Sequence, residues 1–292
     1  MSSSFHLPPA MSPLVISEPV GRAWAHIMES YSPATIEFAG TLIVQLIFFW
    51  VPCVIYMSLD ALFPKFSERH KIQPAPKQPT RSEILDCFSV VLKNQVISTA
   101  LHGLMIYIST LTGKGAFRVD ASIPPIHEII RDLFISLLLR EALFYYSHRV
   151  LHHPRLYPKI HKIHHRFTAP VALAAQYAHP IEQIVANILP ITIPPQLLNS
   201  HILTFWIFMA YELIETTTVH SGYDFFLNAA KMHDLHHEKF LIYFGAIGVL
   251  DWFHGTDGSK MAAKRKAKGN SAVGKGVSED KNGSIVKGDK SD

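Results

Sequence analysis

Cysteine is almost absent from this chain: Cys53 and Cys87 are the only two in 292 residues, and both lie in or beside apolar stretches. No disulfide framework and no thiolate zinc site can be built from them. Charge is scarce as well. Asp, Glu, Lys and Arg make up 17% of the sequence while 48% is hydrophobic, against roughly 25% charged in an ordinary soluble protein. That deficit points to the bilayer. The net charge of +4 belongs to the tail, where nine Lys and Arg face four acidic residues from Gly258 onward. No aromatic residue accompanies them, which argues against a nucleic-acid surface. Residues 1–37 are polar and lack the basic start and apolar core of a cleavable signal. Beyond a recurring histidine spacing there is no internal repeat.

What is present is a set of long apolar runs. Residues 38–59 contain no charge and are long enough for about 30 Å of hydrocarbon at 1.5 Å per residue, with Pro52 as a kink point. Residues 60–86 read as a polar loop with four prolines and five Lys or Arg, a basic excess that predicts the cytosolic side. A second apolar segment, 88–111, is interrupted by Lys93, Asn94 and His102; Lys93 can snorkel, and His102 reads as a packing or cavity residue. After a glycine-bearing turn at 112–120, residues 129–146 form a third. It carries Arg131, Asp132, Arg140 and Glu141, charges expected to face the protein interior or the interface. Residues 180–219, with Pro190, Pro194 and Pro195, fit two passes or a helical hairpin. Either version returns the chain to the side it left. From Met261 onward apolar periodicity is missing, and disorder is expected.

The second abundance is histidine. Of 18 histidines, 12 lie between His148 and His237. They read His148-Arg-Val-Leu-His152-His153, His161-Lys-Ile-His164-His165 and His233-Asp-Leu-His236-His237, with His179 and His220 between the clusters. On a helix, residues three and four apart share a face, so each cluster can aim its imidazoles at one point. A single cluster is as readily a surface or headgroup feature. Three clusters need a common partner, and neutral imidazole is the commonest metal ligand. The candidate ligands are His148, His152, His161, His164, His165, His179, His220, His233, His236 and His237. Ten exceed what one ion uses, so two ions with about five ligands each are expected. A peptidase His-x-x-His would need Glu after the first His; Lys162 and Asp234 stand there instead. Iron, copper, nickel and zinc all suit such nitrogen-rich sites, and the residues alone do not choose. Asp234, Glu182, Glu212 and Glu215 are candidates for orienting imidazole N–H groups.

The blocks Glu141-Ala-Leu-Phe-Tyr-Tyr-Ser-His148 through Ala178-His179-Pro180, His220-Ser-Gly-Tyr-Asp224 and His233-Asp-Leu-His-His237 resemble the fatty acid hydroxylase superfamily of integral-membrane non-haem di-iron enzymes. The ending Gly248-Val-Leu-Asp-Trp-Phe-His-Gly-Thr-Asp257 is similar to the C4-methylsterol oxidase branch. The likeness covers about residues 141–257. It implies two iron ions, O2 as co-substrate and electrons from NAD(P)H through cytochrome b5. By the family pattern the first box is His148 and His152, with His153 a spare. His161, His164 and His165 form the second and His233, His236 and His237 the last, while His179 and His220 match family histidines outside the boxes. His254 and His201 are not expected as ligands, and His201 reads as an interfacial residue.

The expected fold is all-α. It comprises a polar segment (1–37), a membrane anchor (38–147), a histidine-rich di-metal helical domain with a membrane hairpin at 180–219 (148–257) and a disordered basic tail (258–292). About four to five membrane helices are expected, with a lumenal N-terminus and the boxes and tail cytosolic, at the endoplasmic reticulum. The expected activity is oxygenation of a membrane lipid, a sterol first. The alternatives are hydroxylation or desaturation of acyl, sphingoid or terpenoid chains, and a catalytically silent membrane scaffold.

Overall fold

The computed structural model describes residues 18–73, 76–225 and 228–259, together with two short strands in the tail. The first helix, α1 (Glu18–Ser30), falls in the segment read as simply polar. Its Val20, Trp24, Ile27 and Met28 recur at helical spacing, and Trp24 is the buried member. The Trp24 indole packs edge-on against Trp206 and donates to the Asp120 carbonyl at 2.9 Å.

Helix α2 (Pro33–Leu62) begins before the uncharged run because Ser32 caps it, accepting the Thr35 N–H, and Pro33 takes the first turn. The stretch read as a polar loop contains a further helix, α3 (Pro64–His70), again opened by a proline. Helix α4 (Arg81–Thr112) starts in a capping box made by Thr80 and Glu83 and stops at Gly113, whose φ is +68°. Helix α5 (Ile126–Leu151) follows Pro124-Pro125 and delivers His148 and His152 at its C-terminal end.

Beyond α5 the chain turns irregular as far as residue 179, with short 3-10 turns at His164–Arg166 and Ala172–Gln176. Pro154, Pro158 and Pro170 prevent a longer helix, so the second histidine box stands on turns and not on the helix face its spacing suggested. Pro180–Glu182 (α6) leads through a π-helical turn, Gln183–Ile188, into α7 (Leu189–Leu197). The chain then reverses into α8 (Ile202–Val219), α9 (Ala229–Lys239) and α10 (Val249–His254).

Among the described residues three helices are long and apolar enough to cross a membrane: α2, α4 and α8. The outer faces expose Ile47, Val51 and Val54 on α2, Leu92, Val96 and Met105 on α4, and Ile207 and Ile214 on α8, the surface a lipid-facing bundle presents. Among the described residues the fold is thus all-α through residue 259, with the membrane-length helices of a multi-pass membrane protein. In the tail, strands β1 (Val277–Glu279) and β2 (Ile285–Lys287) pair antiparallel, Ser278 opposite Val286. This departs from the disorder expected there. The rest of that expectation, like most of the basic tail and residues 1–17, lies outside the described residues.

Helix α8 lies along α2. Trp206 Nε1 donates to Thr41 Oγ1 at 3.0 Å near one end, and the Tyr56 and Thr218 hydroxyls meet at 3.0 Å near the other. Phe49, Cys53, Cys87, Val91 and Leu213 form an apolar core that clamps residues 172–175. Buried Asn94 donates to the carbonyls of Gln176 and Ala178. The irregular stretch carrying the second histidine box is therefore fixed to three helices.

Candidate metal centre

Nine histidines from four parts of the chain meet in two groups. His148, His152, His161, His165 and His236 make one; His164, His220, His233 and His237 make the other; within each group the nearest ring nitrogens all lie within 4.8 Å of one another. In the first, Nε2 of His161 is 3.0 Å from that of His148 and 3.0 Å from that of His165, and His236 stands 3.2 Å from both His165 and His152. In the second, His233 Nε2 is 2.8 Å from His220 and 3.0 Å from His237, while His220 and His164 are 3.4 Å apart. A metal–nitrogen bond of about 2.1 Å puts adjacent ligand nitrogens about 3.0 Å apart at a right angle and about 3.4 Å at the tetrahedral angle. The observed spacings are the edges of such polyhedra.

The rings are turned so that Nδ1 faces the protein and Nε2 faces the group. The Nδ1–H groups of His148, His236, His220 and His164 donate to the carbonyls of Phe244 (2.7 Å), Ile242 (2.6 Å), Thr216 (2.7 Å) and Tyr177 (3.2 Å). His161 donates to Glu182 Oε1 at 2.7 Å. A neutral imidazole that gives its proton at Nδ1 presents a lone pair at Nε2, so converging Nε2 atoms bring together lone pairs that only a cation can hold at this separation. Burial reinforces neutrality: it lowers the pKa of His164 to about 4 and those of His152 and His220 to about 3. The donor set fits two transition-metal ions.

The two boxes with the same spacing divide between the groups in opposite senses. His161 and His165 enter the first group and His164 the second; His233 and His237 enter the second and His236 the first. On α9 this follows from geometry. Counted from His233 at 3.6 residues per turn, His237 lies about 40° to one side and His236 about 60° to the other, so the two rings turn toward different groups.

Other candidates fall elsewhere. His179 joins neither group: its Nδ1 accepts the Ile181 N–H at 3.1 Å and caps α6. His153 is exposed. His254 meets the Tyr146 hydroxyl at 3.1 Å. His201 is fully buried and caps α8 through the Leu203 N–H, so it is not an interfacial residue. Of the acidic candidates, Glu182 orients a ligand imidazole. Asp234 instead accepts from Gln73 Nε2 at 2.9 Å, and Glu212 and Glu215 face Arg140.

A supporting layer was not visible in the histidine pattern. Glu141 Oε2 accepts the N–H groups of Ala246 and Ile247, and Asp251 accepts those of Phe244 and Gly245. These carboxylates shape the loop whose Ile242 and Phe244 carbonyls hold His236 and His148. The only legible hint was two acidic residues, one deep in an apolar helix and one in the Val-Leu-Asp-Trp-Phe stretch.

A cavity of about 640 Å³ reaches both groups from between the helices, within the usual range of lipid-sized ligand sites. Its wall includes His148, His164, Phe144, Met209 and Leu213. Phe144, Phe205 and Leu213 line it, whereas Phe134 and Leu138 are exposed on the outside of α5.

The family model for fatty acid hydroxylase matches residues 133–256, the region holding all nine histidines. Human fatty acid hydroxylase domain-containing protein 2 is 37% identical over 223 residues, 75% of this chain and 66% of that protein. The chain thus spans just under two-thirds of that relative's length. Methylsterol monooxygenase 1 of Danio rerio is 30% identical over 247 residues, 79% of this chain and 81% of the relative. Fatty acid hydroxylase ahd1 of Mycosarcoma maydis is 34% identical over 189 residues, 64% of this chain and 49% of that protein. No solved structure gives a significant match.

Proposed function

We propose, since this chain belongs to the fatty acid hydroxylase superfamily with its sterol-desaturase-like members, that it is a membrane-bound di-iron oxygenase. On this reading it oxidises a C–H bond of a membrane lipid, a sterol, with O2 and with electrons from NAD(P)H delivered through cytochrome b5. The observation that carries the reading is the convergence of nine Nε2 atoms into two cages at the head of a lipid-sized cavity.

His148, His152, His161, His165 and His236 would hold one ion and His164, His220, His233 and His237 the other. Bound there, iron supplies oxygen activation, a power that no side chain has. The chain's own work is positioning. Backbone carbonyls and Glu182 fix the tautomers of five of the imidazoles, burial keeps the rings neutral, and the apolar cavity excludes water and presents the lipid. A substrate dissolved in the bilayer enters sideways between the helices, and the basic stretch at residues 60–86 keeps the histidine end on the cytosolic side of the endoplasmic reticulum. We count α5 and the α6–α7 segment with the three membrane-length helices, giving five segments that enter the bilayer.

The sterol assignment is supported by the name of the Danio rerio relative. The names of the human and Mycosarcoma maydis relatives favour a second reading, oxidation of an acyl chain. Lipid profiles of cells with and without the gene separate the two. Accumulation of 4-methylsterols on deletion is expected; unchanged sterols with altered hydroxy-acyl lipids would replace the sterol reading by the second.

A further inference from the structure

Charged side chains stand in the otherwise apolar wall of the cavity. Arg140 on α5 and Glu212 on α8 each lie eight residues before a ligand-group histidine, His148 and His220, about 12 Å along their helices. Arg140 Nε is 2.7 Å from Glu212 Oε2, and Arg140 Nη2 donates to Glu215 Oε2 at 3.2 Å. All three line the cavity. Glu212 is 1% exposed, and its Oε1 has no hydrogen-bond partner. The other acidic wall residues are already partnered. Glu37 and Glu182 also line the cavity, facing His102 at 3.6 Å and His161 at 2.7 Å, while Lys114 lies exposed.

The buried cation on this wall is therefore already engaged by two carboxylates. A ligand carboxylate brought alongside Arg140 would be desolvated beside two carboxylates with no uncommitted cationic side chain there to meet it, which is strongly unfavourable at low dielectric. A neutral ligand with a hydroxyl or amide N–H offers what Glu212 Oε1 lacks, a donor. We propose that this cavity selects neutral lipids carrying a hydrogen-bond donor and rejects lipid carboxylates, with Arg140, Glu212 and Glu215 as the specificity determinant. The proposal rests on the reading of the cavity as the lipid site and narrows its substrate class: free fatty acids are excluded, and hydroxylated neutral lipids are admitted.

The test is displacement of a pyrene-labelled long-chain alcohol from the purified full-length protein in nanodiscs at about pH 9, where the competing carboxylate is ionised. The competitors are cetyl alcohol and palmitate, which share a chain length and differ in head group. Cetyl alcohol should displace the probe at a concentration at least about tenfold lower than palmitate, since like-charge juxtaposition is worth at least that factor. In the Glu212→Gln, Glu215→Gln double variant Arg140 is released, and the preference should invert or fall by about tenfold. Glu215→Gln alone, at a partly exposed residue, should move it the same way by less and serves if the double variant does not fold. Equal displacement by the two competitors in the wild type, an unchanged ratio in the folded variants, or no displaceable binding of the probe would overturn the proposal. Displacement needs no turnover, so a protein that fails to oxidise sterols still reports its head-group preference.

Discussion

Glu182 and Gly245 show how much of the centre is held from outside the cages. The Glu182 carboxylate receives the His161 Nδ1 proton, and loss of such an orienting partner commonly costs about 10–100-fold in metal affinity. Glu182→Ala is expected to fall in that range and Glu182→Gln, which keeps an acceptor oxygen, to lose less; metal retained after dialysis against a graded chelator measures both. Equal retention by Glu182→Ala and wild type would remove Glu182 from the centre. Gly245 has no room for a methyl group: a Cβ there would lie 2.6 Å from Glu141 Oε1 and 2.8 Å from Asp251 Oδ2. Gly245→Ala should displace the loop that supplies the Phe244 and Ile242 carbonyls and lower metal content through His148 and His236. Full metal content in that variant would show that the loop is not what aligns those rings. At this scale the ligands were legible and their partners were not. A histidine cluster is visible in any window of the sequence, but the Phe244 carbonyl is 96 residues from His148, and no local pattern connects them.

Elements were legible in proportion to how much of their signal is local. The apolar runs of α2, α4 and α8 stand out because lipid-facing helices need apolar residues all round. Their ends were displaced by caps, Ser32 and Thr80, that lie outside the apolar run. Helix α1 carries a local signal too, Val20, Trp24, Ile27 and Met28 at helical spacing, but it lies in a segment polar overall, and its anchor is tertiary, Trp24 against Trp206 and His201. The second histidine box has helical spacing but carries prolines on either side, and convergence there comes from turns clamped by Asn94 and the apolar core. The joint between α2 and α8 depends on Gly40, over which the Trp206 ring lies so closely that no Cβ fits. Gly40→Ala should force the helices apart and destabilise the protein by about 1–3 kcal/mol, the usual cost of overpacking. A lowered thermal midpoint in detergent would register it; an unchanged midpoint would mean that Trp206 swings clear at no cost.

Taken whole, the molecule buries a dense set of imidazoles that must remain uncharged. Burial holds His164 at about 4 and His152 and His220 at about 3, below the free value of 6.5. In the unfolded chain these rings bind protons near 6.5, so the unfolded state takes up more protons in the interval between, and acid favours it. The metal-free protein should keep its full stability above pH 6.5 and lose it progressively as the pH falls toward 4. Metal release should begin in the same window because protons compete for the same nitrogens. Thermal midpoints of the metal-free protein across that range provide the check, and a midpoint that rises on acidification would contradict the neutral assignment.

The pairing of two ions with two separate histidine groups is tested most directly by counting iron in protein reconstituted with ferrous ion. Wild type should hold two ions per chain. His236→Ala and His164→Ala, which remove a ligand from different groups, should each lose one ion, and the exposed His153→Ala should lose none. Wild-type iron content in both His236→Ala and His164→Ala would contradict the account.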